Sequence, residues 1–244
     1  LSKLTTVYLN NQTPPRGMFD DFNSSAPRHT LYVPDEAIEA YKNAKKWSTW
    51  KYINPGAYDV TTNDAMQTLR YTIHSNKAEN INGNSYAGRA KLVYAPDPTV
   101  YSQTYAVPDH LTLANGKKYA VTAINSNVCS GGMRASATLT LGANVDSIFS
   151  NAFQGKTMLT GLKLNSNLTF IGVNAFYDCR IANDLALPYG FKKLSPGAFY
   201  NNSFKRFLIP GSLVSLGYNA LAKNNYLQEL VINDTYWAKY TGWD

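Results

Sequence analysis

From residue 148 to residue 232 the apolar positions of this chain recur in two interlocked columns. One column is a six-residue block, apolar at its first, fifth and sixth positions. It reads Ile148-Phe-Ser-Asn151-Ala152-Phe153, Ile171-Gly-Val-Asn174-Ala175-Phe176, Leu194-Ser-Pro-Gly197-Ala198-Phe199 and Leu216-Gly-Tyr-Asn219-Ala220-Leu221, with first residues 23, 23 and 22 apart. A weaker copy, Ile124-Asn-Ser-Asn127-Val128-Cys129, stands 24 residues upstream. The other column has the form L-x-x-L-x-L: Leu159…Leu162-Lys-Leu164, Ala182…Leu185-Ala-Leu187, Phe204…Phe207-Leu-Ile209 and Leu227…Leu230-Val-Ile232. Two columns that keep one period predict a solenoid of stacked coils.

Each column has a physical meaning. In L-x-L the two apolar residues point one way and the middle residue the other, as in a short strand. One such strand per coil stacks into a parallel sheet with one buried face. The Ala-Phe pair sends a small residue and a ring into the same core from the opposite wall. Asn151, Asn174 and Asn219 share a column with Gly197, which predicts a turn position of positive φ. Pro188 and Pro210 end their strands. A single coil cannot bury its own apolar face, so each depends on its neighbours.

Upstream of the array the pattern divides in two. Over residues 1–57, Leu4-Thr-Thr-Val7-Tyr-Leu9-Asn10 superimposes on Leu227-Gln-Glu-Leu230-Val-Ile232-Asn233, so a repeat strand opens the sequence. Leu31-Tyr-Val33-Pro34 follows, and Asp35 is placed to cap a helix over residues 36–44. Ile38, Tyr41 and Trp47 are expected to face inward, with Trp50 and Ile53 closing the segment. Residues 54–68 are rich in turn formers and read as a linker. Over the second unit, 58–124, the pattern is β. Tyr71-Thr-Ile73 reads as a short strand and Ile81-Asn-Gly-Asn-Ser as a loop. Residues 107–113 and 118–124 flank Asn115-Gly116, a strong hairpin signal. The stretch from Tyr86 to Tyr105 reads as an insert with no assigned element.

The phrase I-G-x-N-A-F-x-x-C at Ile171 to Cys179, followed by a strand ending in Leu-Pro, resembles the BspA-like leucine-rich repeat of bacterial surface proteins. The series Leu31-Tyr-Val-Pro34, Tyr41-Lys, Trp50 and Ile53 resembles the C-terminal cap of arrays in that family. The hairpins of 69–124 are similar to its N-terminal cap. The resemblance implies an α/β repeat fold: a leucine-rich-repeat-type solenoid of short parallel strands, period 22–24 residues, over 125–244. A β-hairpin N-terminal cap and a small helical cap segment complete it. A cap-like segment that comes first suits a piece of tandem arrays, or a cap that covers the open edge after the Ile232 strand. That cap could act in its own molecule or in a neighbouring copy, by exchange of residues 1–57.

Composition narrows the function. The chain has 244 residues, 44% hydrophobic and only 16% charged, so neutral polar groups, among them 18 Tyr, supply its solubility. Its net charge is +7, but Lys and Arg occur in isolated pairs such as Lys117-Lys118, which argues against a nucleic-acid surface. The two cysteines fall two coils apart, roughly 10 Å at the spacing of stacked strands, too far for a disulfide. They are expected as buried free thiols. No apolar run is long enough to span a membrane, and no signal peptide is evident. His29, His74 and His110 show no ligand spacing, Asp20-Asp21 reads as solvated surface, and nucleophile and phosphate-loop motifs are missing. No enzyme activity, cofactor or metal site is expected.

What remains is the outer face of the sheet. The middle residues of L-x-L point outward: Thr140, Lys163, Ala186, Leu208, Val231 and, in the leading strand, Tyr8. The preceding outward column holds Thr138, Gly161, Asp184, Arg206, Glu229 and Thr6. Ala186, Leu208 and Val231 form an apolar strip with a charged rim of Asp184, Arg206 and Glu229. The candidate partner-binding residues are therefore Lys163, Asp184, Ala186, Arg206, Leu208, Glu229, Val231 and Tyr8. The function expected is a non-enzymatic binding module, extracellular or on the bacterial cell surface, that presents a rigid face to a protein or glycan of a host or neighbouring cell. Host adhesion is implied by the resemblance alone. The alternative is a structural spacer of a larger surface protein with no ligand of its own.

Overall fold

A computed structural model of the chain describes residues 6–8, 13–14, 30–33, 37–44, 52–55, 57–61, 68–95, 103–113, 116–129 and 136–233. The leading unit is small. Strands β1 (Thr6–Tyr8), β2 (Thr30–Val33) and β3 (Tyr52–Pro55) form a parallel sheet in the order β1-β2-β3, with helix α1 (Ile38–Asn43) between the last two. Leu31, Val33, Ala37 and Tyr41 are its core, and Ile38 packs against them. The helix starts at Ala37 with no side-chain cap, where the sequence predicts an Asp35 cap; Asp35, Trp47 and Trp50 lie outside the described residues.

β3 passes into β4 (Ala57–Thr61) through Gly56 alone. The linker expected over 54–68 is thus strand through Thr61. Tyr58, Val60 and Thr61 carry enough β propensity to pair with β5 (Thr68–Ser75), and that pairing outweighs the turn formers around them. Residues 62–67 lie outside the described residues. The loop expected at 81–85 is also ordered, as the hairpin of β6 (Glu79–Ile81) and β7 (Asn84–Tyr86). Asn82 and Gly83 take φ of 51° and 79° at its turn, the conformation that Asn-Gly favours. The 86–105 insert supplies two strands. β8 (Gly88–Tyr94) lies between β5 and β11, and β9 (Gln103–Ala106) begins the face on which the repeat strands stack. The hairpin expected at 115–116 is present as β10 (His110–Thr112) and β11 (Lys118–Ile124).

From β11 onward the chain winds as a leucine-rich-repeat solenoid. On one wall β13 (Ser147–Ile148), β15 (Phe170–Ile171), β17 (Lys193–Leu194) and β19 (Ser215–Leu216) extend the sheet of the opening unit in the order β19-β17-β15-β13-β11-β8-β5-β4, parallel from β19 to β8, with β5 antiparallel to β8 and β4. The facing wall carries the L-x-x-L-x-L strands: β12 (Ala137–Thr140), β14 (Leu159–Lys163), β16 (Leu185–Ala186), β18 (Arg206–Pro210) and β20 (Glu229–Asn233). Six-residue α1 is the only helix among the described residues, so the α part of the expected class is slight.

The columns do what their spacing predicts. Phe153, Phe176 and Phe199 are fully buried and stack ring on ring, with centroids 5.6 and 5.2 Å apart and planes within 8°. Asn127, Asn151, Asn174, Gly197 and Asn219 all have φ between 52° and 65°, the left-handed turn expected of the column. Phe153, Phe176 and Phe199 donate their N–H groups to Ala175, Ala198 and Ala220 of the next coil, each at 2.8 Å. Cys129 repeats this bond to Ala152 at 3.4 Å and so takes the Phe position of its coil.

A further column, not apparent from hydrophobicity, stitches the coils together. Cys179, Asn202 and Asn224 are buried one coil apart. Each donates to the carbonyl of the preceding coil's Phe: Sγ to Phe153 O (3.2 Å), and Nδ2 to Phe176 O (2.8 Å) and Phe199 O (3.0 Å). The Asn carbonyls in turn accept from Ile181 N and Asn202 N. Turn backbone that enters a core must find such partners, and a primary amide offers both a donor and an acceptor. Cys179 supplies only the donor. Burial pushes its thiol up to about 12; neither cysteine is in a disulfide, and both are buried.

Candidate partner-binding surface

The outward face of the repeat strands is not one sheet. β9, β12 and β14 form one three-stranded sheet, and β16, β18 and β20 form another. Asn183 separates them. Its side chain accepts from Leu162 N (2.9 Å) and donates to Leu162 O (3.0 Å), standing in for the backbone of a neighbouring strand. The eight candidate residues are therefore divided three ways. Lys163 projects from the first sheet and is exposed; Tyr8 belongs to β1 in the leading unit; of the other six, five lie in the second sheet and Asp184 immediately precedes its strand β16.

Those six do come together. Ala186 pairs with Leu208, and Leu208 with Val231, as neighbours across β16, β18 and β20. Beside them Asp184 Oδ1 accepts from Arg206 N at 3.1 Å, and Arg206 Nε meets Glu229 Oε2 at 2.9 Å. Both side chains of that pair are about half exposed, so the rim is a solvated ladder of alternating charge. The apolar strip is less open than its pattern predicts. Ala186 is exposed, but Leu208 and Val231 are half-buried, because each branched side chain leans on the strands beside it. Thr140 is half-buried too. Gly161 keeps its place opposite Thr138 in the outward column but is buried, because the Thr138 side chain lies over it.

The larger exposed apolar groups lie elsewhere. Tyr189 and Tyr218 are 91% and 81% exposed, and Val214 and Tyr226 stand out as well. Each occupies a turn, where the repeat pattern assigns no inward position, so hydrophobic periodicity gives no sign of them. Tyr177 and Tyr200 stack at 4.6 Å on the turn after the Phe column.

Among the described residues no group of three or more His, Cys, Asp or Glu could hold a metal ion. The densest set of charges joins the β6-β7 hairpin to the first coil. Arg89 Nη2 meets Glu79 Oε2 at 2.6 Å, and Arg89 Nη1 lies 3.5 Å from Asp146. Hydrogen bonds from Arg89 hold the Glu79 carboxyl below its ordinary range. His74 is lowered by burial first and by Lys91 and Arg89 next. The set is a mutually satisfied ion-pair network. No helix among the described residues is long and apolar enough to cross a membrane.

A family model and one solved structure agree with this architecture. Residues 122–238 match the BspA type leucine-rich repeat region, in six copies. A leucine-rich repeat protein from Bacteroides ovatus superimposes with a TM-score of 0.51 at 19% identity, over 66% of this chain and 40% of its own. The chain thus spans well under half the length of that protein. A leucine-rich cell surface protein from Faecalibacterium prausnitzii aligns at 14% identity, over 73% of this chain and 55% of its own, with a TM-score of 0.39. The pneumococcal vaccine antigen PcpA aligns at 13% identity, over 73% and 38%, with a TM-score of 0.41. No curated protein matches. The stacked Phe column, the left-handed Asn turns and the six matched copies make residues 122–238 a BspA-type leucine-rich repeat array.

Proposed function

We propose that this chain is a non-enzymatic binding module of a bacterial surface protein, and that the sheet of β16, β18 and β20 receives a protein or glycan partner. The observation that carries the reading is the co-planar set of Ala186, Leu208 and Val231 beside the ladder of Asp184, Arg206 and Glu229. A half-buried apolar strip costs little to desolvate, and a rim of ordered charges gives orientation and selectivity. The repeat backbone holds both in place, so binding there orders little that is not already ordered. The likeness to BspA-type arrays supports placement outside the cell.

The test is capture of extracellular-matrix proteins and a glycan array by the intact chain, against Ala186→Lys with Leu208→Lys. Both substitutions point outward and leave the Phe core untouched. Specific capture by the native chain, lost in a normally folded double variant, is the expected result. Equal capture by the variant would remove this sheet from the reading. No capture by either would leave the chain as a spacer.

A further inference from the structure

The far end of the array carries an open apolar cleft of about 420 Å³, lined by Ile209, Leu216, Ala220, Leu221, Leu230 and Ile232 among others. The strand β20 that borders it pairs with β18 on one side and, among the described residues, with nothing on the other. In the leading unit β1 is likewise an edge, paired with β2 only. Unpaired edges with free backbone donors and acceptors are templates for strand addition.

We infer that β20 of one copy of this chain pairs with β1 of a second copy, so that the leading unit of the second closes the cleft of the first. The two edges match in three respects. Their sequences share one repeat register, Leu4-x-x-Val7-x-Leu9-Asn10 against Leu227-x-x-Leu230-x-Ile232-Asn233, which places Val7 opposite Leu230 and Tyr8 opposite Val231. Both sheets are parallel and advance in chain order, β16-β18-β20 and β1-β2-β3, so the joined sheet continues without a reversal. The leading unit also carries its own buried cluster of Leu31, Val33, Ala37 and Tyr41, so the open core would be followed by a closed one.

The partner is a second copy because the same molecule's β1 is held elsewhere. β3 reaches β4 through one residue, and β4 is the opposite edge of the long sheet from β19. Seven strand spacings, roughly 34 Å, separate those edges. The contact is head-to-tail, using different surfaces on the two copies, so it propagates into chains unless a ring closes. It uses the free edge of β20 rather than the outward face of the same sheet, which stays available to other partners.

Sedimentation velocity of the whole protein over a wide concentration range is the first measurement, with species growing beyond a dimer expected. Two blocked variants then isolate the surfaces. Val7→Pro removes a strand donor from β1, and Ile232→Lys puts a charge at the cleft. Each alone should stay monomeric, while an equimolar mixture should yield a 1:1 dimer that grows no further. A covalent test does not depend on how well those variants fold. Opposed strands bring Tyr8 and Val231 within disulfide range, so Tyr8→Cys with Val231→Cys should give a reducible ladder on a gel, and Tyr8→Cys with Lys163→Cys should not. A native protein that stays monomeric at all concentrations, a mixture without dimer, or equal ladders from both cysteine pairs would overturn the inference.

Discussion

The middle of the array and its last coil are written in nearly the same residues and have opposite fates. Ile148, Ile171 and Leu194 are fully buried, whereas Leu216, at the same position, is only half-buried. Ile209 is 1% exposed and its counterpart Ile232 is 45% exposed; Phe207 is fully buried and Leu230 is 46% exposed. Nothing local distinguishes these positions, since strand, turn and left-handed Asn are all repeated. The difference is that a described coil lies beyond the middle positions and none lies beyond the last. Burial in a solenoid belongs to the interface between coils, so equal sequences acquire unequal energies.

The sharpest way to break this comparison is to truncate one inward side chain in the middle of the array and one at its end. Phe176→Ala should cost about 3–5 kcal/mol, the usual toll of removing a ring from a packed core. Leu230→Ala should cost less than about 1 kcal/mol, because half of that side chain is already in water. Urea melts of both variants decide it, and equal losses would mean that the end is as tightly covered as the middle.

A smaller effect is expected from the amide column. Asn202→Ala leaves Ile181 N and Phe176 O without partners in a buried turn, at a cost of roughly 1–3 kcal/mol. Asn202→Asp keeps the acceptor but loses the donor to Phe176 O and buries a charge, so it should be at least as damaging in the same melts.

Cys179 extends the column into a pH dependence. Its folded pKa is raised by burial from the ordinary 9.0 to about 12, so the folded state holds the proton where the unfolded state releases it. The stabilising contribution is complete well below pH 9 and is lost as pH rises toward 12, with a slope approaching about 1.4 kcal/mol per pH unit between those values. The fall should be read as the difference between the native chain and Cys179→Ala, which cancels the tyrosines. In the folded protein alkylating reagents should leave Cys179 untouched at pH 8, and unfolding should expose it.

The least effect belongs to the outer face. Arg206→Ala removes a half-exposed pair with Glu229 and should change stability by less than about 0.5 kcal/mol, within the error of most melts. Any effect on partner capture would then report on recognition rather than on folding.

How much could be read from residues alone follows the physics of each element. The strand columns, the Phe stack and the left-handed Asn positions were legible because each is a one-coil pattern repeated in register. The amide column was written in the same period, at Cys179, Asn202 and Asn224, but a hydrophobic pattern does not register polar side chains that turn inward. The opening unit was harder to read. The β8 and β9 strands within 86–106 owe their places to strands distant in sequence, so local patterning gave them no element; β4 and the β6-β7 hairpin pair with near neighbours and were misread because turn formers dominate their composition. The candidate surface lay between these cases. The outward residues of β16, β18 and β20 were named by alternation, yet their gathering on one sheet apart from Lys163 was not.

The sequence by itself determined the period, the inward columns, the turns that need positive φ and the BspA-type character of the array, since each depends on residues within one coil. Only the tertiary structure decided where the sheet breaks and which coil ends with its core open. Asn183 takes the place of a strand because Leu162 of the previous coil presents both an N–H and a carbonyl to it. Leu230 and Ile232 stay half in water because no described coil lies past them. Both outcomes are settled between coils, where a side chain's free energy depends on the neighbour it meets.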